Sequence, residues 1–136
     1  GETGQSQGTF TMPRVSSAFF LVAALCGLAG MAWGSQMGMS GDHSLSPAHA
    51  HLNLLGWVSL SIMGGFYALS PRSGWLPWAN LILSSAGAIL MGVLLPQVLT
   101  GKLSGQVMMA AELPAVLGML LFIAAIVSGL RRPAAA

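Results

Sequence analysis

Two histidines, one residue apart, stand at the beginning of a long apolar segment. The stretch SPAHAHLNLLGWVSL, residues 46–60, contains His49 and His51, two of the three histidines in the chain. Imidazole is a common ligand of metals and cofactors, and ionisable groups inside an apolar helix are costly enough to be functional candidates. If Pro47 lies in the first helical turn, the two rings point about 200° apart. We therefore expect the two histidines to serve two different sites, on opposite flanks of one helix.

The residues after this pair predict a helix with an unusually small surface. Asn53 and, more loosely, Trp57 share the flank of His49. Further along, the segment is rich in glycine and serine: Gly56, Ser59, Ser61, Gly64 and Gly65. Small residues in a membrane helix either let a neighbouring helix approach closely or leave room for a flat cofactor. Asn53 and Trp57 are therefore candidate residues around a cofactor held by the histidines.

Two other interpretations of the histidine pair stay open. A neutral histidine near the depth of the lipid headgroups can hydrogen-bond a loop carbonyl and have no further role. A zinc site would need three or four ligands. Asp42, His43 and Glu112 are the residues that would complete one, although their spacing matches no recognised zinc pattern.

Thioether ligands also occur just before the pair. SQMGMSGDHS, residues 35–44, places Met37, Met39 and His43 in a predicted outward loop. Soft sulfur ligands favour copper(I), so these three residues are candidates for a copper site. Methionine is common in this chain, with nine residues, and simple packing at the membrane surface is the alternative interpretation.

Glu112 is the one acidic residue inside a predicted span. It lies about two turns into the fourth span, at a depth similar to that of the histidines. It is a candidate hydrogen-bond partner for a histidine N–H, or a proton-relay group. The alternative is an acidic residue in the first turns of a helix, where the macrodipole favours it.

Composition assigns the chain to the lipid bilayer. Of its 136 residues, 54% are hydrophobic and 6% are charged, whereas a soluble domain is about 25% charged. The net charge of +2 is far too small for a nucleic-acid-binding surface. The single cysteine, Cys26, excludes a disulfide within the chain.

Four apolar segments are each long enough to cross a bilayer, which takes about 20 residues. They are residues 15–34, 47–69, 76–99 and 105–130. Short connections between the later segments place successive helices antiparallel and adjacent. The sequence therefore predicts an all-α, integral-membrane four-helix bundle over residues 14–132, preceded by a flexible tail at residues 1–13.

The basic residues predict how the helices are oriented. Cytoplasmic ends of membrane helices carry an excess of Lys and Arg. Four of the five basic residues fall on one side of the four-span arrangement: Arg14, Arg72, Arg131 and Arg132. Lys102 alone falls on the other side. We therefore expect both termini in the cytoplasm, the bundle in a bacterial inner membrane, and the histidine pair near the periplasmic face.

The stretch HLNLLGWVSLSIMGGFYALSP, from His51 to Pro71, resembles the second helix of subunit I in the haem–copper oxidase superfamily. It is most similar to the nitric oxide reductase branch, with a one-residue slip between Trp57 and Pro71. In that family the opening histidine is an axial ligand of a b-type haem near the outer membrane face, and His51 matches it. The His49–His51 doublet also resembles a later helix, in which two histidines ligate two haems on opposite flanks.

The chain departs from that family in two ways. The family's catalytic centre needs further histidines, and beyond the pair this chain has only His43. A complete subunit I has three arcs of four helices, and this chain is the size of one arc. The resemblance therefore implies a homo-oligomer, with a trimer favoured, in which each haem b takes His51 from one copy and His49 from the next.

These observations favour one function and leave two alternatives. The leading function is a haem b-binding membrane protein that transfers electrons, with a respiratory-chain protein as redox partner, or senses gas or redox state. Reduction of oxygen or nitric oxide would need a second metal assembled across chains, so no catalytic residue is assigned. The alternatives are a copper-handling membrane protein that uses Met37, Met39 and the histidines, and a cofactor-free accessory subunit of a respiratory complex.

Overall fold

The computed structural model describes residue 4 and residues 8–131 of the chain. Four long helices follow one another: α1 (Arg14–Ser40), α2 (Ser46–Leu69), α3 (Leu76–Leu99) and α4 (Gly105–Leu130). All four are long and apolar enough to cross a membrane. The prediction of an all-α, four-helix membrane protein is therefore confirmed. Part of the predicted tail at residues 1–13 lies outside the described residues, as does Arg132.

Helix α1 continues six residues beyond the end of the predicted span. It ends where Gly41 takes the left-handed conformation (φ 71°), with its N–H bonded to the Met37 carbonyl at 3.0 Å. A glycine in this conformation is a common helix stop, whereas the prediction ended the span at the last strongly apolar residues. Met37 and Met39 therefore lie in the last turns of α1 and not in the loop.

Helix α2 is a composite of three segments. Ser46–His51 and Ser59–Leu69 are α-helical, and Leu52–Val58 between them is a π-helix, whose backbone bonds run from residue i to i+5. Two side chains bond to carbonyls of this region: Asn53 Nδ2 donates to the His49 carbonyl at 2.9 Å, and Ser59 Oγ donates to the Leu54 carbonyl at 2.7 Å. Both carbonyls also accept a backbone N–H, from Leu52 and from Ser59 respectively, so each side-chain bond is a second bond to its carbonyl.

The helices pack mainly against their neighbours in the chain, and α1 also contacts α3. The backbones of α3 and α4 approach closely at Gly87, where a Cβ would lie 2.8 Å from the backbone N and Cα of Ala115. Close packing of this kind, through small residues, is typical of helices in membranes.

One end of the bundle is held by an aromatic and polar cluster. The aromatic rings are Phe19, Phe66, Tyr67 and Phe122, with centroids of contacting pairs 5.3–6.3 Å apart. Asn80 donates to the Tyr67 hydroxyl at 2.8 Å and accepts from Ser84 Oγ at 3.0 Å, and all three residues are buried. Arg72 closes this end by donating to the Ala125 carbonyl of α4 at 3.2 Å.

Candidate functional site

At the opposite end of the bundle, a stripe of α2 lies in a row of glycines on α1. The stripe is His49, Asn53 and Trp57, and the glycines are Gly34, Gly30 and Gly27 in the same order. A Cβ on these glycines would lie 3.2 Å from His49 Cε1, 2.7 Å from Asn53 Cγ and 3.1 Å from Trp57 Cδ2, respectively. We call these six residues the α1–α2 trough. Each glycine makes room for one polar or aromatic side chain.

Asn53 sits at the centre of the trough and contacts His49 in two ways. Its Nδ2 donates to the His49 carbonyl at 2.9 Å. The same atom lies 3.4 Å from Nδ1 and 3.3 Å from Nε2 of the His49 ring. Because it is almost equally far from both nitrogens, it lies over the ring and not in line with either lone pair. The His49 nitrogens therefore keep their capacity to bind another group.

The rings of two tryptophans complete the surroundings of this stripe. Trp33 meets His49 edge to face, with centroids 6.1 Å apart and ring planes at 86°. Trp57 packs its ring on Gly27 and remains 46% exposed. His49 itself is half-buried. An aromatic ring thus lies at each end of the trough, Trp33 beside His49 and Trp57 on Gly27.

Two adjoining cavities open along this trough. The larger, of about 550 Å³, is lined by His49 and Asn53 together with Gly30, Met31, Gly34, Ala50 and Leu54. The smaller, of about 350 Å³, is lined by Asn53 and Trp57 together with Ala24, Gly27, Leu28 and Met31. Their sizes fall in the range of ligand sites, about 300–1,000 Å³. Their lining is apolar apart from one imidazole and one amide.

His51 lies outside the trough and is exposed. Its Nδ1 is 2.7 Å from the carbonyl oxygen of Pro47. A carbonyl only accepts, so Nδ1 carries a proton, and in the neutral ring Nε2 carries the lone pair. Within residues 8–131 no hydrogen bond reaches this Nε2. His51 therefore has the ring state that a metal-binding histidine needs.

The remaining candidate residues are not gathered around either histidine. Glu112 is exposed, in the first turn after the 3-10 segment that begins α4, and its carboxylate makes no hydrogen bond within the described part of the chain. Met37 is buried, whereas Met39 is 84% exposed. The two thioethers that were predicted to share a loop therefore point to different surroundings on α1.

The loop between α1 and α2 holds the last two candidates. His43 Nδ1 is 3.2 Å from the Gly41 carbonyl, and the Asp42 carboxylate accepts the Ser44 N–H at 3.0 Å. That backbone hydrogen bond lowers the pKa of Asp42. Among residues 4 and 8–131, no group of three or more His, Cys, Asp or Glu side chains comes together to hold a metal ion.

Two parts of this site were not among the residues predicted from the sequence. One is the glycine row of α1, whose i, i+3, i+7 spacing at Gly27, Gly30 and Gly34 is visible in the sequence and is a signal for a helix contact. The other is the Pro47 carbonyl, which no sequence pattern marks as a partner for His51. Both contribute through backbone exposure and not through a reactive side chain.

The fold and this site define an all-α integral membrane protein with four candidate spanning helices. Comparison with protein-family models, with curated protein sequences and with solved structures finds no match. The functional interpretation therefore depends on the geometry of the two histidines and the trough.

Proposed function

We propose that this protein binds b-type haem through its histidine pair and acts in electron transfer or in gas or redox sensing. The observation that carries the proposal is the position of His51 on α2, two residues from half-buried His49, with its Nδ1 bonded to the Pro47 carbonyl at 2.7 Å. That bond fixes the ring orientation and leaves Nε2 free on an exposed side chain. Backbone carbonyls orient haem- and metal-binding histidines in this way in many proteins.

The surroundings of His49 are compatible with a large flat group. The 550 Å³ cavity beside it has a floor of Gly30 and Gly34 and an apolar rim that includes Met31 and Leu54. Glycines keep that floor flat, and the apolar rim is exposed at Met31 and Leu54, which leaves the depression open to a neighbouring copy. When bound, haem would supply one-electron chemistry, while the protein would hold it and set its polarity.

The two histidines do not face one site within a single copy. His49 is half-buried against α1, and His51 is exposed, outside the trough. One copy therefore offers two half-sites, and a second copy is needed to give one haem two axial imidazoles. A head-to-tail arrangement closes into a ring when the rotation permits, and we favour a homotrimer with one haem at each junction.

The proposal includes a location in the membrane. The histidine end would face the periplasm of a bacterium, and the end with Arg14 and Arg72 would face the cytoplasm, following the distribution of basic residues. Two axial histidines would favour electron exchange with a respiratory-chain partner. One histidine with an open position would favour gas binding.

An absorption spectrum of protein purified in mild detergent, with haem content and native mass, tests the proposal. We expect sharp reduced bands of haem b, about one haem per chain, and an oligomer. His51→Ala should abolish the bis-histidine spectrum. His43→Ala is the matched control, because His43 is also exposed and also has Nδ1 near a local carbonyl, and it should leave the spectrum unchanged.

Other outcomes assign the alternatives. If elemental analysis finds copper, no haem bands appear, and the copper is lost in His43→Ala, the protein handles copper and does not bind haem. A protein that expresses in haem-sufficient cells, contains neither cofactor and takes up no added haem would contradict the proposal. That result would favour an accessory subunit without a cofactor of its own.

A further inference from the structure

We infer that Asn53 and Gly30 act together as positioning residues for His49. The functional importance of this pair depends on the proposed function, because it assumes that His49 is a ligand. The inference itself concerns the geometry of the ring. It assigns a role to Gly30, which has no side chain and carries no chemistry of its own.

Asn53 is the only residue of the α1–α2 trough that contacts both the backbone and the ring of His49. Its amide nitrogen holds the His49 carbonyl at 2.9 Å and covers the imidazole at 3.3–3.4 Å from its nitrogens. These contacts restrict the rotation of the His49 ring on the side that faces Asn53. The amide also lies at the beginning of the π-helix, where Asn53 is the second residue of Leu52–Val58.

Gly30 determines where that amide can lie. A Cβ at Gly30 would collide with Asn53 Oδ1 and would lie 2.7 Å from both Cγ and Nδ2. Real side chains do not approach so closely, so any residue larger than glycine would displace the amide. Displacement would break the bond to the His49 carbonyl and remove the group that covers the ring.

The other two glycines of the trough differ from Gly30: a Cβ at Gly34 would meet the His49 ring directly, 3.2 Å from Cε1, and Gly27 meets only Trp57. A Cβ at Gly27 would lie 3.1–3.3 Å from carbon atoms of the Trp57 ring. That is a tight packing contact, and Trp57 makes no side-chain hydrogen bond to α2 within the described residues. A change at Gly27 would therefore move one ring, whereas a change at Gly30 would pass through Asn53 to His49.

The test measures the His49 ring in protein without cofactor, by NMR of isotope-labelled histidine in detergent micelles. Signals are assigned with single His→Gln variants. Asn53→Ala and Gly30→Ala should each shift the His49 ring signals and leave those of His51 in place. Gly92→Ala is the matched control, since its Cβ would lie 3.3 Å from Leu52 Cδ1, also on α2 but away from His49.

The double variant separates positioning from packing. In Asn53→Ala the amide no longer occupies the space beside Gly30, so the added methyl group of Gly30→Ala fits there. Gly30→Ala should therefore cost little stability in this background. The His49 signals should stay shifted, because the amide is still missing. If stability and the His49 signals recover together, Asn53 acts by packing alone and the inference is wrong.

Two further outcomes are decisive. Unshifted His49 signals in Asn53→Ala would overturn the inference, whatever the haem content. Shifted signals in a protein that binds no haem would support the positioning of His49 while contradicting the proposed function. In haem-containing protein, the same two variants should also shift the low-spin electron paramagnetic resonance signal, and Gly92→Ala should not.

Discussion

Two glycines at different helix interfaces, Gly87 and Gly30, make room for different kinds of atoms. Between α3 and α4, Gly87 faces backbone atoms of Ala115. Between α1 and α2, Gly30 faces the amide of Asn53. The first glycine lets two helices approach closely, whereas the second makes room for a polar side chain. The absence of a side chain therefore serves two purposes here: at Gly87 it lets a backbone approach, and at Gly30 it lets a polar amide approach.

The polar groups differ between the two ends of the bundle. Asn80 is buried and bonded on both sides, to Tyr67 and to Ser84. His51 is exposed and has one nitrogen bonded and one free. Buried polar groups that satisfy one another stabilise a fold, while a lone pair held free at a surface is available to a ligand. The buried, mutually bonded groups therefore stabilise one end of the bundle, and the proposed ligand site lies at the other.

The largest expected effect would come from adding a methyl group to the α3–α4 interface. Gly87→Ala places a Cβ 2.8 Å from the backbone N of Ala115, and a backbone cannot rotate away as a side chain can. We expect a loss of about 1–3 kcal/mol in the free energy of unfolding. Titration of micellar protein with a denaturing detergent measures it.

Two alanine variants on α1 sharpen this prediction. A Cβ at Gly38 meets nothing within 4 Å, so Gly38→Ala should leave stability unchanged or raise it, because alanine favours helix. Gly30→Ala should cost less than Gly87→Ala, since a side chain and not a backbone must move. Equal losses of stability in Gly30→Ala and Gly87→Ala would contradict the distinction between a backbone contact at Gly87 and a side-chain contact at Gly30.

Hydrophobic pattern and length were sufficient to predict the bundle. Three of the four predicted spans agree closely with α2, α3 and α4, because apolar runs bounded by turn residues are controlled by the bilayer and not by distant contacts. The end of α1 differs because it is set by the left-handed Gly41 and not by hydropathy. A local backbone conformation of this kind is weakly visible in sequence.

The candidate site was predictable in its residues and not in its environment. The pattern identified His49, His51 and Asn53 as polar residues of one apolar helix, and helix geometry separated the two histidines. It did not reveal the π-helix at Leu52–Val58, because a π-helix differs from an α-helix in its backbone hydrogen bonds and has no distinct hydrophobic pattern. Which candidate residues come together depends on the packing of the helices, which the sequence pattern does not give. Glu112, predicted at a depth similar to that of the histidines, is exposed.

A smaller effect is expected from removing the bonded amide at the stabilising end. Asn80→Leu keeps approximate size but leaves the Tyr67 hydroxyl and Ser84 without their partner. Hydrogen bonds between membrane helices contribute on average about 0.6 and at most about 1.7 kcal/mol, so we expect a loss of about 0.5–2 kcal/mol in the same unfolding titration. The spectrum of any cofactor should stay unchanged.

Ser85→Ala provides the control for Asn80→Leu. Ser85 is adjacent to Ser84, but its buried hydroxyl has no hydrogen-bond partner within the described residues. Removing an unbonded hydroxyl should leave stability unchanged or increase it. A loss as large as that of Asn80→Leu would mean that the polar cluster has no special role.

The smallest expected effect on stability comes from Ser59→Ala, which tests whether side-chain bonds hold the π-helix of α2. Ser59→Ala removes the 2.7 Å bond to the Leu54 carbonyl, and one exchanged helix bond is worth about 0.5–1.5 kcal/mol. The free energy of unfolding should fall toward the lower limit of that range, since Ser59 is only half-buried. Hydrogen exchange at the backbone amides of residues 52–59 should nevertheless accelerate clearly, because the widened turns lose one of their side-chain bonds.

Ser61→Ala is the control on the same helix, because the Ser61 hydroxyl has no partner within the described part of the chain. It should change neither stability nor exchange. If Ser59→Ala leaves exchange of residues 52–59 at the wild-type rate, the π-helix is held by packing against α1 and α3. It would then belong with the α3–α4 interface as an element of the fold. If exchange accelerates and the His49 ring signals shift as well, the local bonds of α2 are what hold the histidine end in place.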